Sequence, residues 1–179
     1  MKRYLPLVLL FAACTQAPKS VMNSETYIDT SAYAVYADSL RRAMADDSTL
    51  REKVVAFART QIGVPYRYCS MSPEGGFDCS GFVNYVFNHF NIRVPRSSVD
   101  FIDAGTEVAL NKAQPGDVIV FTGTDARRRI AGHVGIVVSN DSSGVSFIQS
   151  TSGEAYGVVI SPLDGHYRER FMKVVRVIN

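Results

Sequence analysis

The sequence predicts an α+β domain in which helices pack on a central antiparallel sheet. Two observations predict it. Apolar residues recur at helical spacing in the first part of the chain, whereas from about residue 117 onward short runs rich in Val, Ile and Phe alternate with turn residues. Helices come first and strands second, so the elements segregate instead of alternating as they do around a parallel sheet. The length of 179 residues suits one domain with short appendages. Hydrophobic residues make up 46% and charged residues 20%, enough apolar material for one packed core, which excludes global disorder.

The chain opens with Lys2 and Arg3, an apolar run from Tyr4 to Phe11 and the small residues Ala12 and Ala13 before Cys14. This is the pattern of a secretory signal, and residues 1–13 are expected to be removed. The run is well short of the roughly 20 residues that a membrane-spanning helix needs. Residues 14–47 read as a tether followed by a helix. Thr15 to Thr30 is polar and aperiodic, while Tyr33, Tyr36, Leu40 and Met44 fall at helical spacing within Ser31 to Ala45. Residues 48–179 form the expected folded domain. Its first helix begins at Thr49-Leu50-Arg51-Glu52, which has the form of a capping box, runs through Val54, Phe57, Ala58 and Ile62, and closes at Gly63.

Gly63 to Gly76 is rich in Gly, Pro, Ser and Tyr and reads as a loop. A second domain helix is expected to open at Asp78, with Phe82, Val83, Val86, Phe87 and Phe90 on one face and a polar stop at Asn88 to Asn91. A brief helical stretch follows Ser97 or Ser98 and runs to Gly105. Strands are expected over Asp117–Phe121, His133–Ser139, Val145–Gln149, Val158–Ile160 and Met172–Ile178.

Three residues carry candidate chemistry. Cys79 lies at a helix start, where unpaired N–H groups and the helix dipole favour an anion, so a thiolate with a lowered pKa is expected there. Gly81 in the same turn weakens the helix, and close approach of a substrate is one reason for it. His133 follows 54 positions later in Gly132-His133-Val134-Gly135, whose glycines leave room around the ring, and is the candidate base. Gln149 ends the next strand and would stand beside His133 if the two strands pair, its amide oxygen accepting the ring N–H. Each residue taken singly also fits a buried or solvated structural role. For Cys69 and Cys79 a disulfide is the competing reading in an oxidising compartment.

The formal net charge is +2, and zero once Lys2 and Arg3 are set aside, so nothing calls for nucleic acid or an acidic surface as partner. His89, His133 and His166 form no close ligand cluster in the sequence, so neither metal nor other cofactor is expected.

Four words stand in order: Asp78-Cys79-Ser80-Gly81-Phe82-Val83, Val94-Pro95-Arg96-Ser97-Ser98, Gln114-Pro115-Gly116-Asp117-Val118 and Gly132-His133-Val134-Gly135-Ile136-Val137. Their order and spacing resemble those of the NlpC-type cell-wall endopeptidases, bacterial cysteine peptidases of papain-like fold, over about Leu50 to Val177. The resemblance implies Cys79 as nucleophile, His133 as general base and Gln149 as the orienting third residue, where many members carry His. It implies that Tyr66, in Val64-Pro65-Tyr66, helps line the oxyanion site, and that Asp78 and Ser80 contact the free amine of a peptide substrate. Asp78 also reads as a helix cap. Where relatives often have Gly-Gly shortly after the tyrosine, this chain has Arg67-Tyr68-Cys69-Ser70.

The implied reaction is hydrolysis of peptidoglycan stem peptides or muropeptides at the D-γ-glutamyl–diaminopimelate bond through a thioester. The alternatives are an amidase or acyltransferase on the same fold, or an inactive wall-binding lipoprotein. Phe11-Ala12-Ala13-Cys14 resembles the lipobox of bacterial lipoproteins, which implies lipid attachment at Cys14 and a membrane anchor. Thr15 after it, in place of Asp, implies the outer membrane, facing the periplasm. A monomer is expected.

Overall fold

The computed structural model describes residues 50–178. The expected signal, Cys14, the tether, the helix over Ser31 to Ala45 and the Thr49 cap lie outside the described residues. Helix α1 covers residues 50–59 and buries Val54, Val55 and Ala58, as its periodicity requires. It stops before Ile62, which is exposed. The N–H groups of Thr60, Gln61 and Ile62 bond three residues back instead of four, tightening the last turn, and Gly63 leaves the helix at φ +88°.

The expected loop that follows contains a miniature hairpin, β1 (Met71–Ser72) and β2 (Gly76–Phe77). Two-residue strands have no periodicity to read, which is why the sequence pattern shows a loop there. Helix α2 (Cys79–His89) starts where expected, with Asp78 as its cap: the carboxylate accepts the Gly81 N–H at 2.6 Å. A 3-10 helix over Ser98–Asp103 buries Phe101 and corresponds to the expected brief stretch.

Six strands follow: β3 (Thr106–Val108), β4 (Val118–Thr122), β5 (Ala131–Asp141), β6 (Gly144–Thr151), β7 (Gly157–Pro162) and β8 (Phe171–Arg176). They form one antiparallel sheet in the order β3-β8-β4-β5-β6-β7. The short β3 and a six-residue helix α3 (Gly165–Arg170) are additions to the elements that the sequence predicts. Central strand β4 is buried throughout, and its alternate residues serve two cores. Val118 and Val120 join Phe82, Val86 and Phe87 of α2, while Ile119 and Phe121 join Val137, Phe147 and Val174 on the opposite face. Covered faces on both sides explain why this strand reads as a continuous apolar run.

One buried carboxylate ties the ends of the domain together. Asp117, fully buried, accepts from Arg51 Nη1 of α1 and from Arg176 Nε and Nη2 of β8, each at 2.9 Å. Arg51 also donates to the Ile178 carbonyl. The Pro-Gly-Asp word thus serves the frame: Gly116 sits at φ +85° so that its N–H reaches the Val137 carbonyl, and Asp117 turns inward.

Candidate active site

Cys79 is the first residue of α2, and α2 packs on β5 through Phe82, Val83, Val134 and Ile136. That packing brings the sulfur to the backbone N–H of Val134, the residue after His133. The thiol pKa is nevertheless raised: burial is the largest cause and the neighbouring Asp78 carboxylate adds to it, outweighing the N–H groups of Val134, Ser80 and Cys79 that lower it. This corrects the expectation of a thiolate favoured by the helix start alone. The shift favours the neutral thiol at Cys79.

Gly81 has a different reason from substrate approach. A Cβ there would collide with the Ser70 carbonyl oxygen and stand 3.0 Å from Asp78 Oδ1. The chain's own loop occupies the space, and the Asp78 N–H donates to that same Ser70 carbonyl at 2.9 Å.

His133 and Gln149 meet as the strand pairing predicts. In the β5–β6 register Ile136 faces Ile148, so the next step sets Gly135 opposite Gln149 and leaves His133 as its diagonal neighbour. With no side chain at Gly135, the Gln149 amide reaches across: His133 Nε2 and Gln149 Oε1 are 2.5 Å apart. A Cβ at Gly135 would press on the Phe147 ring at 2.8 Å and on the Ile148 carbonyl oxygen at 2.9 Å, with Gln149 Cβ at ordinary contact distance. Gln149 is fully buried, and its Nε2 donates to Ser161 Oγ at 2.8 Å and to Tyr167 Oη at 2.6 Å. Those two bonds fix the amide's orientation, so Oε1 accepts from the imidazole and the proton resides on Nε2. Nδ1 is left as the basic atom. Burial lowers the His133 pKa to about 4, the Gln149 bond opposes that shift, and the charges of Arg170 and His166 add to it. Phe121 and Tyr167 flank the ring, with centroids 5.8 and 6.4 Å away.

The cleft above the sulfur has a volume of about 520 Å³, and its lining includes Tyr66, Cys69, Asp78, Cys79, Ser80 and Arg96. Tyr66 is held by its N–H on the Tyr156 carbonyl at 2.9 Å and by ring contact with Tyr156. Burial and the nearby Cys79 and Asp78 raise its pKa, so the phenol remains a hydrogen-bond donor. Asp78 and Ser80 are buried and bound to Arg96: Nη1 donates to Asp78 Oδ1 at 3.0 Å and to Ser80 Oγ at 2.9 Å, and Nη2 to Asp78 Oδ2 at 2.6 Å. The guanidinium therefore balances the carboxylate that raises the Cys79 pKa.

Arg96, Ser161, Tyr167 and Arg170 are site residues without a role in the sequence reading. Arg96 stands in the Val94 to Ser98 word, and the signal was a cation directly after a proline in a polar stretch. The buried side chain of Asn84 on α2 donates to the Pro95 carbonyl and holds that segment in place. Tyr167 and Arg170 lie on α3, too short for a periodic pattern. Arg170 Nε and Nη2 donate to the carbonyls of Gly123 and Thr122, locking α3 onto the end of β4.

Comparison with known proteins agrees with this architecture. The model of the NlpC/P60 family matches residues 63–177. The chain is similar to the gamma-DL-glutamyl hydrolase of Bacillus subtilis (strain 168), 37% identical over 137 residues that cover 76% of this chain and 31% of that protein. It is also similar to the bifunctional muramidase/DL-endopeptidase CwlT of the same organism, 33% identical over 126 residues, covering 70% of this chain and 36% of the relative. The chain thus spans about a third of the length of these curated relatives. Among solved structures it resembles an NlpC/P60 family protein from Bacillus cereus ATCC 10987, with a TM-score of 0.64 and 27% identity, covering 72% of this chain and 40% of that one. The order of the motifs, the helix-start cysteine facing a histidine-bearing antiparallel sheet, and a family match across most of the described domain converge, and the chain belongs to the NlpC/P60 family.

Proposed function

We propose that this protein is a cysteine peptidase that hydrolyses peptidoglycan stem peptides at the bond between D-γ-glutamate and a diamino acid. The observation that carries the reading is the His133–Gln149 arrangement: a histidine with one proton position fixed and the other nitrogen basic, followed by Val134, whose backbone N–H meets the sulfur of the helix-start thiol Cys79. The two named relatives, a gamma-DL-glutamyl hydrolase and a DL-endopeptidase, support the type of bond.

In this mechanism the pair starts neutral. His133 Nδ1 takes the Cys79 proton as the sulfur attacks the carbonyl carbon, so the thiolate forms only as it is consumed. The N–H groups at the start of α2 and the Tyr66 phenol receive the oxyanion. The imidazolium then protonates the leaving amine, giving a thioester. Water activated by the same nitrogen hydrolyses it. Gln149 holds Nε2–H throughout, so each proton moves through Nδ1. The protein acts at the envelope, anchored by lipid on Cys14 at the outer membrane.

Mass spectrometry tests this on a defined disaccharide tetrapeptide and the free tetrapeptide, with wild type beside Cys79→Ala. Cleavage after D-glutamate that requires Cys79 is the expected result. Release of the sugar from L-Ala would make the protein an amidase instead. Absence of any product from either substrate under reducing conditions would rule out hydrolysis of these peptides.

A further inference from the structure

The cleft holds a second thiol that the mechanism leaves idle. Cys69 and Cys79 are both free, and both line the same cavity. The β1–β2 hairpin brings both onto this cleft. Met71 pairs with Phe77 and Ser72 with Gly76, and the Asp78 N–H donates to the Ser70 carbonyl at 2.9 Å. Cys69 immediately precedes that tie, in the turn closed by the Ser70 N–H on the Arg67 carbonyl, and Cys79 immediately follows it as the first residue of α2. Arg96 lines the same cavity, within electrostatic reach of both.

The backbone at Cys69 sharpens the point. It holds φ +59°, the left-handed region that a side chain occupies at a cost, and the residue is exposed, so the thiol does not stabilise a core. A reactive role accounts for a cysteine at such a position.

We propose that Cys69 is the resolving thiol of a reversible redox site on the nucleophile. The oxidant is hydrogen peroxide. His133 takes the Cys79 proton, the sulfur attacks a peroxide oxygen, the O–O bond breaks, and hydroxide leaves as water with that proton. The product is a sulfenic acid on Cys79, the sulfur having been oxidised by two electrons and the peroxide reduced by two. The Cys69 sulfur then attacks Cys79. The S–O bond breaks, the S–S bond forms, and hydroxide departs with the Cys69 proton as a second water. A dithiol restores both thiols. The disulfide silences the peptidase and keeps Cys79 from the irreversible sulfinic state.

The inference rests on Cys79 being the nucleophile of the proposed function, and its test reads out chemistry without turnover of a cell-wall substrate. The full chain carrying Cys14→Ser, which leaves Cys69 and Cys79 as its cysteines, is treated with hydrogen peroxide, alkylated and cut after glutamate. Glu74 lies between Cys69 and Cys79, so the two peptides separate unless a disulfide joins them. The expected result is a joined pair that dithiothreitol releases. Alongside it, hydrolysis of the tetrapeptide falls by about tenfold or more and returns to within about twofold on reduction. In Cys69→Ser the loss is expected to persist after reduction, with sulfinic acid on Cys79. Separate peptides in the wild-type background, with the same sulfinic acid on Cys79 in both proteins, would overturn the proposal. A joined pair in a protein that cleaves neither stem peptide would uphold the redox site and sink the proposed reaction instead.

Discussion

Burial and neighbouring charge lower the His133 pKa to about 4, so the ring stays neutral through a range in which an exposed histidine is already cationic. A general base works only when neutral. The acid limb of kcat/KM is therefore expected near pH 4, with a plateau already reached at about pH 5 to 5.5, where an ordinary imidazole would have lost most of its activity. A limb centred between pH 6 and 7 would show that the ring titrates as if solvated. Gln149 acts on the same ring at its other nitrogen, Nε2. Replacing it by Leu leaves Nε2–H without an acceptor and lets the ring turn, and kcat is expected to fall by roughly 10²- to 10⁴-fold with KM changed little. Gln149→His keeps an acceptor and should recover part of the rate. If Leu and His variants lose the same amount, orientation of the imidazole is not what Gln149 supplies.

At the scale of elements, Cys79 is placed by the fit between the first turn of α2 and the loop before it. Gly81 lets the Ser70 carbonyl lie against that turn, and the same carbonyl accepts the Asp78 N–H. Gly81→Ala gains helix propensity yet forces the two apart, so a loss of about 1–3 kcal/mol is expected from urea unfolding. The rate should fall in addition, measured on the fraction that remains folded. Unchanged or increased stability would mean that the loop yields without cost. Ser150 makes a similar tie from the other side, its hydroxyl donating to the Phe77 carbonyl at 2.7 Å and fastening β6 to β2 beside the cleft. The site thus sits where α2, the β1–β2 hairpin and the β5–β6 pair meet.

Across the whole molecule, Asp117 joins α1, the start of β4 and the last strand through Arg51 and Arg176. Removing one partner of a buried ion cluster leaves charge uncompensated, so Asp117→Asn is expected to lower stability by about 3–5 kcal/mol in urea titration, far from the cleft. A change below about 1 kcal/mol would show that the two arginines find water or other acceptors. The same carboxylate caps the turn that opens β4, accepting the Gln114 N–H at 2.9 Å, which makes the Gln114 to Val118 word a framework motif and not part of the chemistry.

The sequence by itself determined the layer order, the start of α2 at Asp78 and Cys79, and the pairing of His133 with Gln149. Those features depend on local signals: a capping carboxylate three residues before a glycine N–H, helical and alternating periods, and two neighbouring apolar strands that hairpin pairing brings together. The tertiary structure decided the rest. Whether Cys79 rests as thiol or thiolate is set by burial and by Asp78 against backbone N–H groups, a balance of long- and short-range electrostatics that no spacing encodes. Arg96 reaches Asp78 across 18 positions, and Tyr167 reaches Gln149 from a helix too short to announce itself. Such contacts exist only once the loops close, because a side chain's partner across a loop is chosen by packing and not by its sequence neighbours. The sharing of one cleft by Cys69 and Cys79 belongs to the same class: it follows from a hairpin too small to leave a pattern in the sequence.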